Sequence, residues 1–123
     1  MKTVVTENAP KAIGPYSQAK IVGNLVYTSG QIPINHKTGT IEAKTIEEQT
    51  EQVCKNLAEV LKAANTNLDK VIKTTCFLAE IADFAAFNAV YAKYFTTAPA
   101  RSCVAVKDIP KGCLVEIECI ALI

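Results

Sequence analysis

Two runs constrain this chain more than any others: Pro99-Ala100-Arg101-Ser102-Cys103-Val104-Ala105-Val106 and Leu114-Val115-Glu116-Ile117-Glu118-Cys119-Ile120-Ala121-Leu122. Each alternates or is rich in β-branched residues, and Lys107-Asp108-Ile109-Pro110-Lys111-Gly112 between them carries the proline and glycine that punctuate a turn. The pattern predicts two strands joined as a β-hairpin. Strand side chains repeat every second residue, so Arg101, Cys103 and Ala105 share one face, while Glu116 and Glu118 share one face of the partner. Pairing across the turn would set a guanidinium opposite a carboxylate. That arrangement has two readings. An exposed cross-strand ion pair is common and contributes little. Alternatively, the planar arginine fork grips a substrate carboxylate while a glutamate holds or deprotonates a water. Spacing alone leaves both open.

The rest of the chain supplies the context. Lys2 to Thr6 reads as a short strand, and Ala9-Pro10-Lys11-Ala12-Ile13-Gly14-Pro15-Tyr16 holds too much proline and glycine to continue it, forming either an ordered or a floppy loop. Tyr16 either presents its hydroxyl to a pocket or packs its ring on the domain edge. Ser17 to Val22 and Leu25 to Ser29 read as strands joined at Gly23-Asn24, a common hairpin turn. Gly30, in Ser29-Gly30-Gln31-Ile32-Pro33, permits either a bulge or a close backbone approach to a ligand. Thr45 with Glu48 three residues on is a capping box that opens a helix running to about Ala64 or Asn65, with Ile46, Val53, Leu57, Val60, Leu61 and Ala64 as its apolar stripe. Val71 to Leu78 suits a central strand. Asp83 caps a second helix whose apolar face is Phe84, Phe87, Tyr91 and Tyr94 or Phe95. The order is β-β-β-α-β-α-β-β, an α+β arrangement in which two helices cover one face of a single mixed sheet.

At 123 residues the chain reads as one domain, 1–123, large enough to bury a core without disulfides or metals. Thirteen basic and twelve acidic residues leave a net charge of +1, and no basic stripe is interleaved with aromatics, which argues against nucleic acid or an anionic membrane as partner. No run approaches the roughly eighteen apolar residues of a membrane span, and Met1 to Glu7 lacks the apolar stretch of a signal peptide, so the expected compartment is the cytosol. The five cysteines form no CxxC pair and read as small buried hydrophobes rather than a disulfide framework or zinc site. His36, the only histidine, sits in a predicted turn, so neither a metal cluster nor a Ser/His/Asp triad is expected. Half of the residues are apolar and mean hydropathy is positive, high for a small soluble monomer. Val22, Val26, Val104, Val106, Val115 and Ile117 cannot all lie beneath two helices, so an uncovered sheet face is expected to meet another subunit.

Ala12-Ile13-Gly14-Pro15-Tyr16, Thr28-Ser29-Gly30-Gln31-Ile32-Pro33, Lys73-Thr74-Thr75, Phe87-Asn88 with Tyr91, and Pro99-Ala100-Arg101-Ser102-Cys103-Val104 ending in Val115-Glu116-Ile117-Glu118 resemble the RidA (YjgF-type) reactive-intermediate deaminases. The Pro-Ala-Arg and Val-Glu-Ile-Glu pairing is the specific part, and the match spans nearly the whole chain. The resemblance implies a chorismate-mutase-like subunit, assembled as a homotrimer around a central β-barrel with a pocket between neighbouring subunits. It implies hydrolysis of 2-imino and 2-enamino acids, released by pyridoxal-phosphate dehydratases, to 2-oxo acids and ammonia, with no cofactor. Carried over residue by residue, Arg101 binds the substrate carboxylate and Glu116 positions the water together with the backbone carbonyl of Cys103. Glu118 becomes a structural partner, and Tyr16, Ser29, Gly30 and Asn88 line the pocket. A neighbouring arginine would lower the pKa of Glu116 and leave it ionised, a weak base that orients water. A nucleophilic role for Cys103 is the alternative to the backbone role, but no histidine stands ready as its base. Ala98 stands where many members carry an aromatic residue, which leaves the pocket's size open. Two other functions compete: a non-catalytic trimer that binds 2-oxo acids or other small carboxylates, and an RNA-directed translation inhibitor.

Overall fold

The computed structural model describes residues 1–123. In chain order the elements are β1 (Lys2–Val4), β2 (Ala19–Val22), β3 (Leu25–Thr28), α1 (Ile46–Ala63), β4 (Val71–Leu78), α2 (Phe84–Tyr94), β5 (Ala100–Ala105) and β6 (Val115–Leu122). Both helices lie against one face of a single six-stranded mixed sheet, as the order of elements predicts. The capping box forms: the Glu48 N–H donates to the Thr45 hydroxyl, and the Glu48 carboxylate accepts from the Thr45 N–H. This satisfies donors that the first helical turn leaves orphaned. Val53, Leu57, Val60 and Leu61 of α1 are fully buried, with Phe87 and Tyr91 of α2 beside them. α2 begins where expected, but the Asp83 side chain makes no capping hydrogen bond. A 3₁₀ turn at Ile81–Asp83 leads into the helix instead, and the Phe84 N–H donates to the Ile81 carbonyl.

Gly23, at φ +60°, turns β2 into β3, with Val22 opposite Leu25. The Pro/Gly-rich stretch that follows β1 is ordered by one side chain. Gln18, almost wholly buried, accepts from the Thr6 N–H at 2.7 Å and donates to the carbonyls of Thr6 at 3.0 Å and Pro10 at 2.8 Å. A buried amide is stable only when its donors and acceptors are used, so the loop must close on Gln18.

The expected hairpin between β5 and β6 does not form. The sheet order is β1-β2-β3-β6-β4-β5, so β4 lies between them, antiparallel to β6 and parallel to β5. The cause lies in burial. β6 alternates fully buried residues with half-buried or exposed ones along its length, whereas β5 buries none of its residues fully and suits an edge. The connection is also no tight turn, because Ile109 and Cys113 pack with Ile32 and Ile34 in a second small core.

Strand parity also redistributes the valines. Val26, Val115 and Ile117 point under the helices and are completely buried, while Val106 is half-buried against the second core. Val22 and Val104 remain on the other sheet face, joined by Tyr27 and Leu122, each 40–52% exposed. That face, without a helix over it, still carries exposed apolar side chains. Neither helix is long and apolar enough to cross a membrane.

Candidate functional site

Register decides which side chains can meet. Arg101 and Cys103 of β5 lie beside Thr74 and Cys76 of β4, both buried on the helix side. Glu116 and Glu118 of β6 lie beside Phe77 and Thr75, whose side chains take the opposite parity along β4 and point to the uncovered face. Arg101 and Glu116 therefore stand on opposite faces of the sheet with a strand between them. The guanidinium that was expected to face a carboxylate does not do so within one chain, because the hairpin on which that pairing depended is absent.

On the helix side Arg101 is held from several directions. Its Nη1 donates to Asn88 Oδ1 at 2.8 Å, and its Cζ lies 4.7 Å from the centre of the Tyr91 ring, 5.5 Å from Phe84 and 5.7 Å from Phe87. These residues share one face of α2 because positions three, four and seven apart lie above one another on a helix. No carboxylate neutralises the guanidinium: the single ion pair in the chain joins Lys55 and Glu51. Cys103 is half-buried, and burial pushes its thiol pKa up, opposed by the charge of Arg101. Four further cysteines are buried free thiols, with Cys113 pushed up to about 11 by burial and Cys76 and Cys119 to about 12. None of these is poised as a thiolate.

On the other side, a cleft of about 420 Å³ is lined by Ile13, Tyr16, Ser29, Gly30, Glu116 and Glu118 among others. Backbone bonds build it. Gln31 and Ile117 exchange hydrogen bonds of 2.8 and 3.2 Å, drawing the segment after β3 down onto β6. Gly30 thereby sits so close to Glu116 that a Cβ on it would lie 2.3 Å from Oε2. Of the two readings of Gly30, close approach is the one realised, although what approaches is a carboxylate of the chain itself. The Ser29 hydroxyl donates to the Ser17 carbonyl, and the Tyr16 hydroxyl accepts from the Ile13 N–H at 3.1 Å, so both residues pin the loop as well as face the cleft.

The pKa of Glu116 is raised, first by burial and then by the charge of Glu118. This reverses the expected lowering by a nearby arginine, because Arg101 lies behind the sheet. Glu118 makes no ion pair within the chain and lines the same cleft. No group of three or more His, Cys, Asp and Glu side chains is arranged to hold a metal ion.

The candidate residues thus divide into two sets, Arg101 with Asn88 and Cys103, and Glu116 with Tyr16, Ser29 and Gly30. Phe84, Tyr91 and Thr74 join the first set although sequence reading placed them in core and strand. Helical spacing does put Phe84 and Tyr91 on the Asn88 face. Their contact with Arg101 required knowing that β5 lies at the sheet edge beside them.

The sequence profile of the endoribonuclease L-PSP family matches residues 6–123. A Lactococcus lactis protein described as a candidate regulator, AldR, is 56% identical, the match covering 98% of this chain and 97% of that one. The 2-iminobutanoate/2-iminopropanoate deaminase of Escherichia coli K12 is 46% identical over 98% of this chain and 97% of its own. Among solved structures, E. coli TdcF with bound serine superposes with a TM-score of 0.95 at 39% identity, covering 100% of this chain and 99% of that one.

Proposed function

Since the chain belongs to the RidA (YjgF-type) family, whose profile carries the description endoribonuclease L-PSP, we propose that it hydrolyses 2-imino and 2-enamino acids, such as 2-iminobutanoate and 2-iminopropanoate, to 2-oxo acids and ammonia. The observation that carries the proposal is the unneutralised Arg101 guanidinium held beside Asn88, paired with a carboxylate cleft on the other sheet face. The two half-sites combine only if a second copy of the chain brings its Glu116 cleft against Arg101. A homotrimer whose uncovered, partly apolar faces meet around a closed barrel would do this, with residues 1–123 acting as one domain in the cytosol. The exposed Val22, Tyr27, Val104 and Leu122 are the side chains that such assembly would cover.

In the completed site Arg101 holds the substrate carboxylate through paired N–H donors. The imine carbon is electrophilic, and more so once its nitrogen is protonated. Water held by Glu116 and the Cys103 carbonyl adds to it, Glu116 takes up the proton, and the carbinolamine collapses with that proton carried off on ammonia. One water is consumed, and the C=N bond is exchanged for C=O. With Arg101 of the second copy alongside, Glu116 is held as the carboxylate that orients the water and receives its proton. Tyr16, Ser29, Gly30 and Asn88 would shape the pocket around the substrate, which pyridoxal-phosphate dehydratases supply.

A second reading, binding of a small carboxylate for regulation, is favoured by the relative described as a regulator and by the same Arg101. One assay separates the two: threonine plus a dehydratase, with semicarbazide trapping free imine, comparing wild type with Arg101→Ala. Wild type is expected to outcompete the trap and form 2-oxobutanoate, and the variant is not. A folded wild type that fails to accelerate product formation refutes the enzyme and leaves the binder.

A further inference from the structure

We propose that Tyr91 is a positioning residue for the Arg101 guanidinium, anchored by Thr74, and that this pair sets the affinity of the completed site for carboxylates. The proposal rests on the carboxylate-clamp reading above. Tyr91 offers the nearest of the three aromatic faces, 4.7 Å from Arg101 Cζ to its ring centre. Such a face attracts a cation and restricts the plane of a guanidinium, without consuming the N–H donors a ligand needs. Asn88 takes only one of those donors.

The ring itself is fixed. It is 7% exposed, stacks on Phe95 with centroids 4.4 Å apart and planes 25° apart, and its hydroxyl lies 2.7 Å from Thr74 Oγ1. Thr74 is completely buried on β4 and is the direct register partner of Arg101 on β5. The hydroxyl pair therefore ties the ring to the strand position adjoining Arg101, so that ring and guanidinium are referenced to the same two strands. Packing alone does not ask for this: a leucine and a valine would fill the space with no polar atoms to satisfy, whereas two buried hydroxyls are tolerable only when paired. A free arginine samples many rotamers, and holding its fork before the ligand arrives lowers the ordering cost of binding.

The test uses the full-length assembled protein, with Tyr91→Leu, Tyr91→Phe, Thr74→Val and the Tyr91→Phe/Thr74→Val double variant. Two readouts are taken: the nitrogen and proton NMR signals of the Arg101 guanidinium, which report rotation about Nε–Cζ, and the Kd for 2-oxobutanoate. Loss of the face in Tyr91→Leu is expected to average the Arg101 signals and weaken binding about five- to thirtyfold. Turnover should show a raised KM with kcat within about twofold, the mark of lost ground-state and transition-state binding alike. Tyr91→Phe and Thr74→Val should each give a smaller, similar loss, and the double variant no more than either. Unchanged Arg101 signals and Kd in a cooperatively melting Tyr91→Leu overturn the proposal. If that variant does not fold, unchanged values in both milder variants overturn it instead. A wild type that binds 2-oxobutanoate without turnover defeats the deaminase reading, and the guanidinium signals still decide the role of Tyr91.

Discussion

Replacing Gly30 by alanine should disable the protein without unfolding it. Gly30 has no left-handed φ, so its backbone accepts any residue; the constraint is the Glu116 carboxylate lying over it. A methyl group at this position would meet Oε2 at 2.3 Å, Cδ at 2.8 Å and Cγ at 3.0 Å, where ordinary contact begins at 3.4 Å. Glu116 must then retreat by roughly 1 Å or change rotamer, at a cost of about 0.5–1.5 kcal/mol. The lower unfolded-state entropy of alanine offsets about 0.4–1 kcal/mol of that. The net change in stability should be within about 1 kcal/mol. Catalysis is less forgiving, because misplacing a reacting group by about 1 Å costs about 10²-fold. The assay is imine hydrolysis against the semicarbazide trap, alongside thermal melting and size measurement to confirm the same assembly. A Gly30→Ala protein with wild-type melting and wild-type rate would refute the placement of Glu116 at the reacting atoms. One that fails to fold would show that the glycine serves the backbone and not the carboxylate.

Glu116→Gln should reduce turnover about 10²- to 10⁴-fold with assembly intact, measured by the same trap assay. Its stability effect has a definite sign. The folded pKa of Glu116 is raised, so the folded state binds the proton more tightly than the unfolded one; the resulting stability is present below the usual glutamate pKa and declines as pH rises towards the folded value. Glu116→Gln should therefore melt higher than wild type at neutral pH, with the gain shrinking as the solution is acidified towards pH 4.5 and gone below it, and a melting difference that grows on acidification contradicts this. Cys103→Ala should keep its rate, since burial leaves the thiol protonated and the proposed contact is a backbone carbonyl; lost turnover with intact 2-oxobutanoate binding would restore the nucleophile. Ala98 holds φ +52°, strained for a residue with a Cβ, and is exposed, so Ala98→Gly should stabilise by about 0.5–1 kcal/mol in denaturant titrations. A loss of stability there would mean that the methyl group packs against a neighbouring subunit.

Local chemistry was legible in the chain because it depends on neighbours in sequence. Thr45 and Glu48 announce a helix start through a hydrogen-bond exchange three residues long, and β4 is bounded as expected at Val71 and Leu78. Strand parity likewise assigned Arg101 with Cys103 and Glu116 with Glu118 to shared faces. Strand parity singled out Arg101 and the two glutamates, and local sequence offered Tyr16 and Gly30, but Asn88, Ser29 and the choice of Glu116 over Glu118 came from family resemblance. What sequence could not decide was which strands are neighbours. Pairing is set by how much each strand can bury on both sides, a property of the whole sheet, and it put β4 between β5 and β6 against the suggestion of the Pro/Gly segment. That one placement turned an apparent Arg/Glu pair into two half-sites on opposite faces. It reversed the pKa shift of Glu116 and brought Tyr91 of α2 under the guanidinium. Periodicity settles the face a side chain points to, whereas only tertiary packing settles what lies across from it.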